Sequence, residues 1–232
     1  MKNYIRLTFA LAALCAALST ATFASSMFLV QGIAGRDRSP DTDPAYPVDV
    51  LLNDEVCYVH GMAFGAIVGP LTFDAGTYNL KVSMANTLAP CSNSPLIDAS
   101  VTLEPRQDAS VVFALADDGT PTLLTFLNDF SPVSAGLSRI LFAQGANAAP
   151  VEVILQNTST NQVYTYTVSR GALLDVSLPA DEYSVEVKQG TTTLVASTLV
   201  NLHSQAATLL YTTGQAGNNT VTLETKIVRD VI

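Results

Sequence analysis

Short runs in which apolar and polar side chains alternate recur along this chain. Val48-Asp49-Val50-Leu51-Leu52, Thr77-Tyr78-Asn79-Leu80-Lys81-Val82 and Ser184-Val185-Glu186-Val187-Lys188 each put polar residues on one face. That period of two is the mark of a half-buried strand. Val163-Tyr164-Thr165-Tyr166-Thr167-Val168 adds β-branched and aromatic side chains, which pack well on a pleated surface. Turn residues punctuate the runs at Asn53-Asp54, Asp74-Ala75-Gly76, Asp117-Asp118-Gly119 and Gly214 to Asn219. Past the N-terminal segment no stretch has a helical amphipathic period. Short strands at regular intervals without helical crossovers predict antiparallel sheets packed face to face.

The pattern also repeats. Met27-Phe28-Leu29-Val30-Gln31-Gly32 resembles Ile140-Leu141-Phe142-Ala143-Gln144-Gly145, and Pro47 to Leu52 matches Pro150 to Leu155. Ala75 to Val82 matches Ala180 to Val187, Leu96 to Leu103 parallels Leu194 to Leu202, and Ser110-Val111-Val112-Phe113 parallels Ala207-Thr208-Leu209-Leu210. The pairs keep their order, as two copies of one unit do. We therefore expect two domains, 26–130 and 137–232, joined by a Pro-, Ser- and Gly-containing linker at 131–136.

Met1 to Arg6 carries two basic residues, Leu7 to Leu18 is apolar, and Thr22-Phe23-Ala24 offers small residues before a cleavage point. This is the order of a secretory signal peptide, and residues 1–24 are set aside on that ground. Cys15 is cut away with it, since Leu14 stands where lipoprotein processing wants a small residue. No later run reaches the length of a transmembrane helix, and the turns come too often for an outer-membrane barrel. Periplasmic, extracellular or cell-surface placement is the expectation.

Composition narrows the choice. The 232 residues are 48% hydrophobic and only 13% charged, with a net charge of -9; removal of Lys2 and Arg6 takes the mature chain to -11. An acidic chain lacks the basic face that binds phosphate backbones, so nucleic acid is excluded as a partner. Low charge with abundant β-branched residues also excludes disorder.

Asp74-Ala75-Gly76-Thr77-Tyr78 and Ala180-Asp181-Glu182-Tyr183 resemble the tyrosine corner of immunoglobulin-like sandwiches, where a Tyr hydroxyl folds back onto upstream backbone. Tyr78, Tyr183 and Gly76 are read as structural, with Gly76 supplying a positive φ. Leu80 and Val185 stand where antibody domains carry Cys, and the chain has no Trp. More broadly, the motifs resemble a secreted bacterial family, domain of unknown function 4397. Ser39-Pro40-Asp41, Pro47 to Asn53, Ala63-Phe64-Gly65 and Ala75 to Tyr78 carry the likeness in the first copy. Ala148 to Val153 and Ala180 to Tyr183 carry it in the second, which lacks the Ala-Phe-Gly step and the turn Gly. The resemblance implies tandem immunoglobulin-like β-sandwiches and brings no catalytic or binding residues with it.

Reactive groups are sparse. There is no Gly-x-Ser-x-Gly turn, no Gly-x-x-x-x-Gly-Lys loop and no zinc spacing, and His60 and His203 fall in different copies. No cofactor is expected. Asp37, Asp41 and Asp43 are candidate calcium ligands, but the stretch fails the EF-hand pattern and Arg36 and Arg38 offset its charge, so a solvated loop is favoured. In an oxidising compartment Cys57 and Cys91 read as a disulfide closing 35 residues, both cysteines counted, with two buried or free thiols as the alternative. The reading is a non-enzymatic exported protein with a binding or assembly role, its partner another protein or a surface polymer. An exported hydrolase with an unrecognised carboxylate pair and a carbohydrate-binding module are the alternatives; the absence of Trp weakens the second.

Overall fold

The computed structural model describes residues 24–228. The expected signal peptide lies outside the described residues except for Ala24, directly ahead of the first strand. Strands β1 (Ser25–Gln31), β2 (Val48–Leu52), β3 (Val56–Met62), β4 (Ile67–Phe73), β5 (Gly76–Met84), β6 (Pro95–Leu103), β7 (Asp108–Leu115) and β8 (Pro121–Asn128) form the first unit. Strands β9 (Leu137–Gln144), β10 (Val151–Asn157), β11 (Val163–Val168), β12 (Leu173–Pro179), β13 (Glu182–Gln189), β14 (Thr192–Asn201), β15 (Ala207–Thr213) and β16 (Thr222–Val228) form the second. A single four-residue helix, α1 (Gly35–Arg38), and a 3-10 turn at Ala216–Asn218 are the described helical pieces.

Each unit is a sandwich of two four-stranded sheets. The first unit's sheets run β4-β1-β7-β8 and β3-β2-β5-β6; the second's run β12-β9-β15-β16 and β11-β10-β13-β14. Adding eight to every strand number turns one order into the other, so the repeat read from sequence is a repeat of topology. β1 pairs parallel with β7, as β9 does with β15, while the remaining pairings are antiparallel. The first two strands of a unit lie in opposite sheets. An immunoglobulin constant domain places them in the same sheet, so the sandwich layering is shared while the pairing order is this protein's own.

Strands β10 and β13 keep the expected alternation. In β10 Val151, Val153 and Leu155 point into the core while Glu152 and Gln156 are exposed, and β13 buries Tyr183, Val185 and Val187. By contrast, β7 and β15 are buried almost end to end, and β1 and β9 nearly so. Their odd and even side chains enter different cores. Met27, Leu29, Val111 and Phe113 line the first sandwich, Ile140, Phe142 and Leu210 the second. Phe28, Val30, Val112, Ala114 and Phe126 meet Leu141, Ala143, Leu209 and Tyr211 in a third core between the units. Sealing each Val, Leu, Ile, Phe or Met side chain among these from water contributes about 1.5–3 kcal/mol. The molecule is thus four stacked sheets with three apolar seams.

Two sequence expectations need correction here. Gln31 pairs with Phe113 and Gln144 with Thr212, so Ser110 is equivalent to Leu209. The sequence alignment, which matched Ser110 with Ala207, is displaced by two residues, a slip that period-two patterning cannot detect because it leaves each side chain on the same face. Copy two has Asp181 in place of the turn Gly76, as expected, but it does keep the glycine of the Ala-Phe-Gly step. Gly65 and Gly171, at φ 81° and 75°, donate to the Gln31 and Gln144 carbonyls respectively. Arg170 stands where the first copy has Phe64, which hid the equivalence.

The Gln-Gly repeat has a packing cause. A Cβ on Gly32 would come within 2.6 Å of the Phe113 carbonyl and 3.2 Å of Thr213, and one on Gly145 within 3.0 Å of Val112. Each glycine thus lets the opposite unit approach, and Gly214 N–H donates across the junction to the Gly32 carbonyl at 2.9 Å.

Candidate functional site

The third core ends in polar contacts between the units, and the open spaces beside it are the places where a ligand could sit. At one end a cleft of about 630 Å³ is lined by Asp117, Asn147, Arg170, Gln189 and Gln215 among others. The β7–β8 turn brings Asp117 and the β11–β12 turn brings Arg170. The Arg170 guanidinium donates to the Leu115 carbonyl and faces the Asp117 carboxylate at 3.6 Å; Asn147 donates to the Ala116 carbonyl at 2.8 Å. These groups bridge the units, and no nucleophile or histidine joins them in the cleft lining.

A second cleft, about 540 Å³, opens beside Ser26, Arg106, Asp108, Asn128 and Asp129. Near it Arg139 contacts both Asp129 and Asp175. The two carboxyls are pushed apart. Hydrogen bonds from Ser131, then the Arg139 contact, hold Asp129 down to about 2, while burial raises Asp175. Such divergence is how acid and base roles are divided in enzymes. Here Arg139 lies between the pair and also donates to the Asp129 carbonyl at 3.0 Å. The cluster pins the segment after β8 onto β9 and β12.

Inside the junction Ser110 Oγ and Tyr211 Oη lie 2.7 Å apart, and Asn128 Nδ2 donates to the same Ser110 oxygen at 2.8 Å. Burial pushes the Tyr211 hydroxyl far above its ordinary titration range. It serves as a neutral hydrogen-bonding group.

The residues singled out from sequence take these positions. Cys57 and Cys91 form a disulfide with Cα atoms 5.7 Å apart. Beside it the buried Asp49 carboxylate accepts from the backbone N–H of Gly61, Asn86 and Cys91 at 2.9–3.0 Å. Asp49 organises the loop the disulfide closes, a role sequence reading missed; the exposed Glu152 at the matching place in copy two has no such loop beside it. Tyr78 donates to the Asp74 carbonyl at 2.7 Å and Tyr183 to the Pro179 carbonyl at 3.1 Å, both four residues upstream. Gly76 differs from expectation: it opens β5, pairs with Leu103 and is extended, not positive in φ.

Asp37, Asp41 and Asp43 do not converge. Asp37 Oδ1 accepts from Thr220 at 2.6 Å and Asn218 at 3.2 Å, across the junction, and Asp43 Oδ1 accepts from the Ala45 N–H at 2.9 Å. Among the described residues no three His, Cys, Asp or Glu side chains are grouped to hold a metal. The acidic stretch is in part a docking loop for the second unit. His60 lies exposed on β3, and His203 is half-buried on the β14–β15 turn.

Fold and site together define a two-sandwich β protein whose junction side chains are engaged in holding its halves together. The family model described as Domain of unknown function (DUF4397) matches residues 37–155. The chain belongs to that family, and the match runs from α1 across the linker into β10. No curated protein matches. Among solved structures the chain is similar to a leucine-rich repeat protein from Bacteroides thetaiotaomicron VPI-5482 at 12% identity, over 83% of this chain and 26% of that one, with a TM-score of 0.23. It is similar to the Bacillus anthracis TIE protein at 9% identity, over 88% of this chain and 34% of that one, with a TM-score of 0.28. The chain spans only about a quarter to a third of those two structures. Among the described residues no helix is long and apolar enough to cross a membrane.

Proposed function

We infer that this is an exported, non-enzymatic protein that acts through its surfaces, as a binding or assembly element of the periplasm or cell surface. The observation that carries the reading is the third apolar core. It joins two sandwiches into one body, and in a cleft at its end Arg170 and Asn147 are committed to that joining. The Cys57–Cys91 disulfide suits an oxidising compartment, and the charged, apolar and small-residue order of residues 1–24 supports export.

The test has two arms. Fractionation of the full chain carrying a C-terminal tag is expected to recover it outside the cytoplasm, shortened by about two dozen residues. The purified 25–232 protein is expected to be inert in ester and glycoside screens and to be retained by isolated cell envelopes. Cytoplasmic recovery at full length overturns the export reading. Turnover that disappears in Asp129→Asn or Asp175→Asn replaces the binding role with the hydrolase alternative.

A further inference from the structure

The four sheets have eight edges, and the protein protects them unequally. On one side of each sandwich the edges close on one another, β6 against β8 and β14 against β16. On the other side no strand among the described residues pairs with the outer edges of β3, β4, β11 and β12. An open edge presents unpaired N–H and C=O groups, and native proteins blunt such edges with bulges, prolines, charges or staples. β4 carries Gly69-Pro70 and an irregular register against β1. β12 carries Asp175 and ends at Pro179. β3 shifts register twice against β2, contains Gly61 and is tied down by the Cys57–Cys91 disulfide.

β11, the counterpart of β3, has none of these devices. Val163-Tyr164-Thr165-Tyr166-Thr167-Val168 pairs with β10 in unbroken register and holds no charge, proline or glycine. Asn157 N–H donates to the Gln162 carbonyl at 2.9 Å, which makes that pair a hydrogen-bonded one. Antiparallel alternation then commits the backbone groups of Tyr164, Tyr166 and Val168 to β10 and aims those of Val163, Thr165 and Thr167 outward. Among the described residues no backbone hydrogen bond outside the β10 ladder involves this strand, and Val163, Thr165 and Thr167 are exposed.

We propose that β11 is a self-association edge that pairs antiparallel with β11 of a second copy, joining two four-stranded sheets into one continuous sheet. The register is fixed by the strand itself. Thr165 opposite Thr165 puts Val163 opposite Thr167, so all three outward-facing residues meet outward-facing residues and form about six backbone hydrogen bonds. The same register sets Tyr164 opposite Tyr166 on the core-side face, a favourable aromatic cross-strand pair. A two-fold axis through Thr165 makes the contact isologous and closed. Self-complementarity selects the occupant: the outward-facing groups of Val163, Thr165 and Thr167 match their own two-fold copy, and the six uncharged residues of β11 add no like-charge repulsion at the contact. This names the partner in the assembly version of the function proposed above and rests on that version.

Two measurements on the 25–232 protein test it. Sedimentation equilibrium at submillimolar concentration is expected to show a reversible dimer whose Kd rises roughly tenfold or more in Thr165→Lys, which sets like charges face to face on the axis. Leu199→Lys on β14, also exposed, is expected to leave Kd unchanged. In a hydrogen-bonded antiparallel pair the Cα atoms are about 5.5 Å apart, within disulfide reach. Mild oxidation of Thr165→Cys is therefore expected to give a covalent dimer, and Thr198→Cys on β14 none. A strict monomer, a dimer indifferent to Thr165→Lys, or equal cross-linking from both cysteine variants overturns the proposal. Envelope retention does not depend on β11, so a monomer that still binds envelopes removes this inference and leaves the broader reading standing.

Discussion

If the two sandwiches share one core, a hydrogen bond inside it belongs to neither unit alone. Ser110 of β7 and Tyr211 of β15 offer the direct test, because both are buried and their oxygens lie 2.7 Å apart. Tyr211→Phe removes one hydroxyl and leaves Ser110 bonded to Asn128. The expected cost is that of one net hydrogen bond, about 0.5–1.5 kcal/mol. Ser110→Ala is worse, since it strands both the Tyr211 hydroxyl and the Asn128 amide. Each orphaned buried group costs about 1–3 kcal/mol, so a total of roughly 2–6 kcal/mol follows. In the double variant the Tyr hydroxyl is no longer there to be orphaned, and the loss falls short of the sum by about 1–3 kcal/mol.

Urea unfolding of the 25–232 protein and its three variants, followed by tyrosine fluorescence and circular dichroism, closes the cycle. One coincident transition is expected with both probes. Costs that add to within about 0.5 kcal/mol would mean that the hydrogen bond does not couple the units. Two separate transitions, each shifted by one substitution only, would show sandwiches that fold independently and would refute the shared core.

The other expectations are simpler. Replacing Cys57 and Cys91 with Ala frees a loop whose closure is worth on the order of 4 kcal/mol, so calorimetry should show Tm falling by roughly 8–16 °C; an unchanged Tm would mean that Asp49 holds the loop unaided. Burial raises the Glu224 carboxyl, which lies against Gly65 of the other unit. A raised acid stabilises while protonated and loses that contribution as pH climbs through its folded pKa; Glu224→Gln should therefore be more stable than the parent at pH 7 and equal to it below about pH 4, and a destabilised variant at neutral pH contradicts the assignment. Asp129, held down to about 2 chiefly by Ser131, contributes stability above about pH 4 that is lost as pH falls toward 2. Its carboxylate is half-exposed, so the effect is small; Asp129→Asn should flatten part of the acid limb of urea midpoint against pH, and identical limbs would remove the residue from the account.

Much of the architecture was legible in the chain. Period-two runs such as Val151 to Asn157 need only local geometry to be read, because a strand with one face in oil and one in water writes that difference into alternate residues. The repeat, the cysteine pair and the Tyr hydroxyls folded onto Asp74 and Pro179 were visible for the same reason: each is specified by spacing within one unit. The pairing of β1 with β7, and the slip of two residues between Ser110 and Leu209, were not, since one strand pattern serves many partners.

One signal was present and read incompletely. Met27 to Val30, Val111 to Leu115 and Ile140 to Ala143 are unbroken apolar runs, the form taken by strands covered on both faces. They say that something lies on the second face without saying what. By itself the sequence determined two like sandwiches, their staple and their acidic, reactive-group-poor surface, because those follow from composition and short-range period. Only the tertiary structure decided that the second face of one sandwich is covered by the other. It likewise decided that Gly32, Gly145, Asp37 and Arg170 serve that junction, and that β11 is left as the bare edge. Contacts between residues roughly a hundred positions apart depend on how whole sheets stack, and no local pattern encodes that.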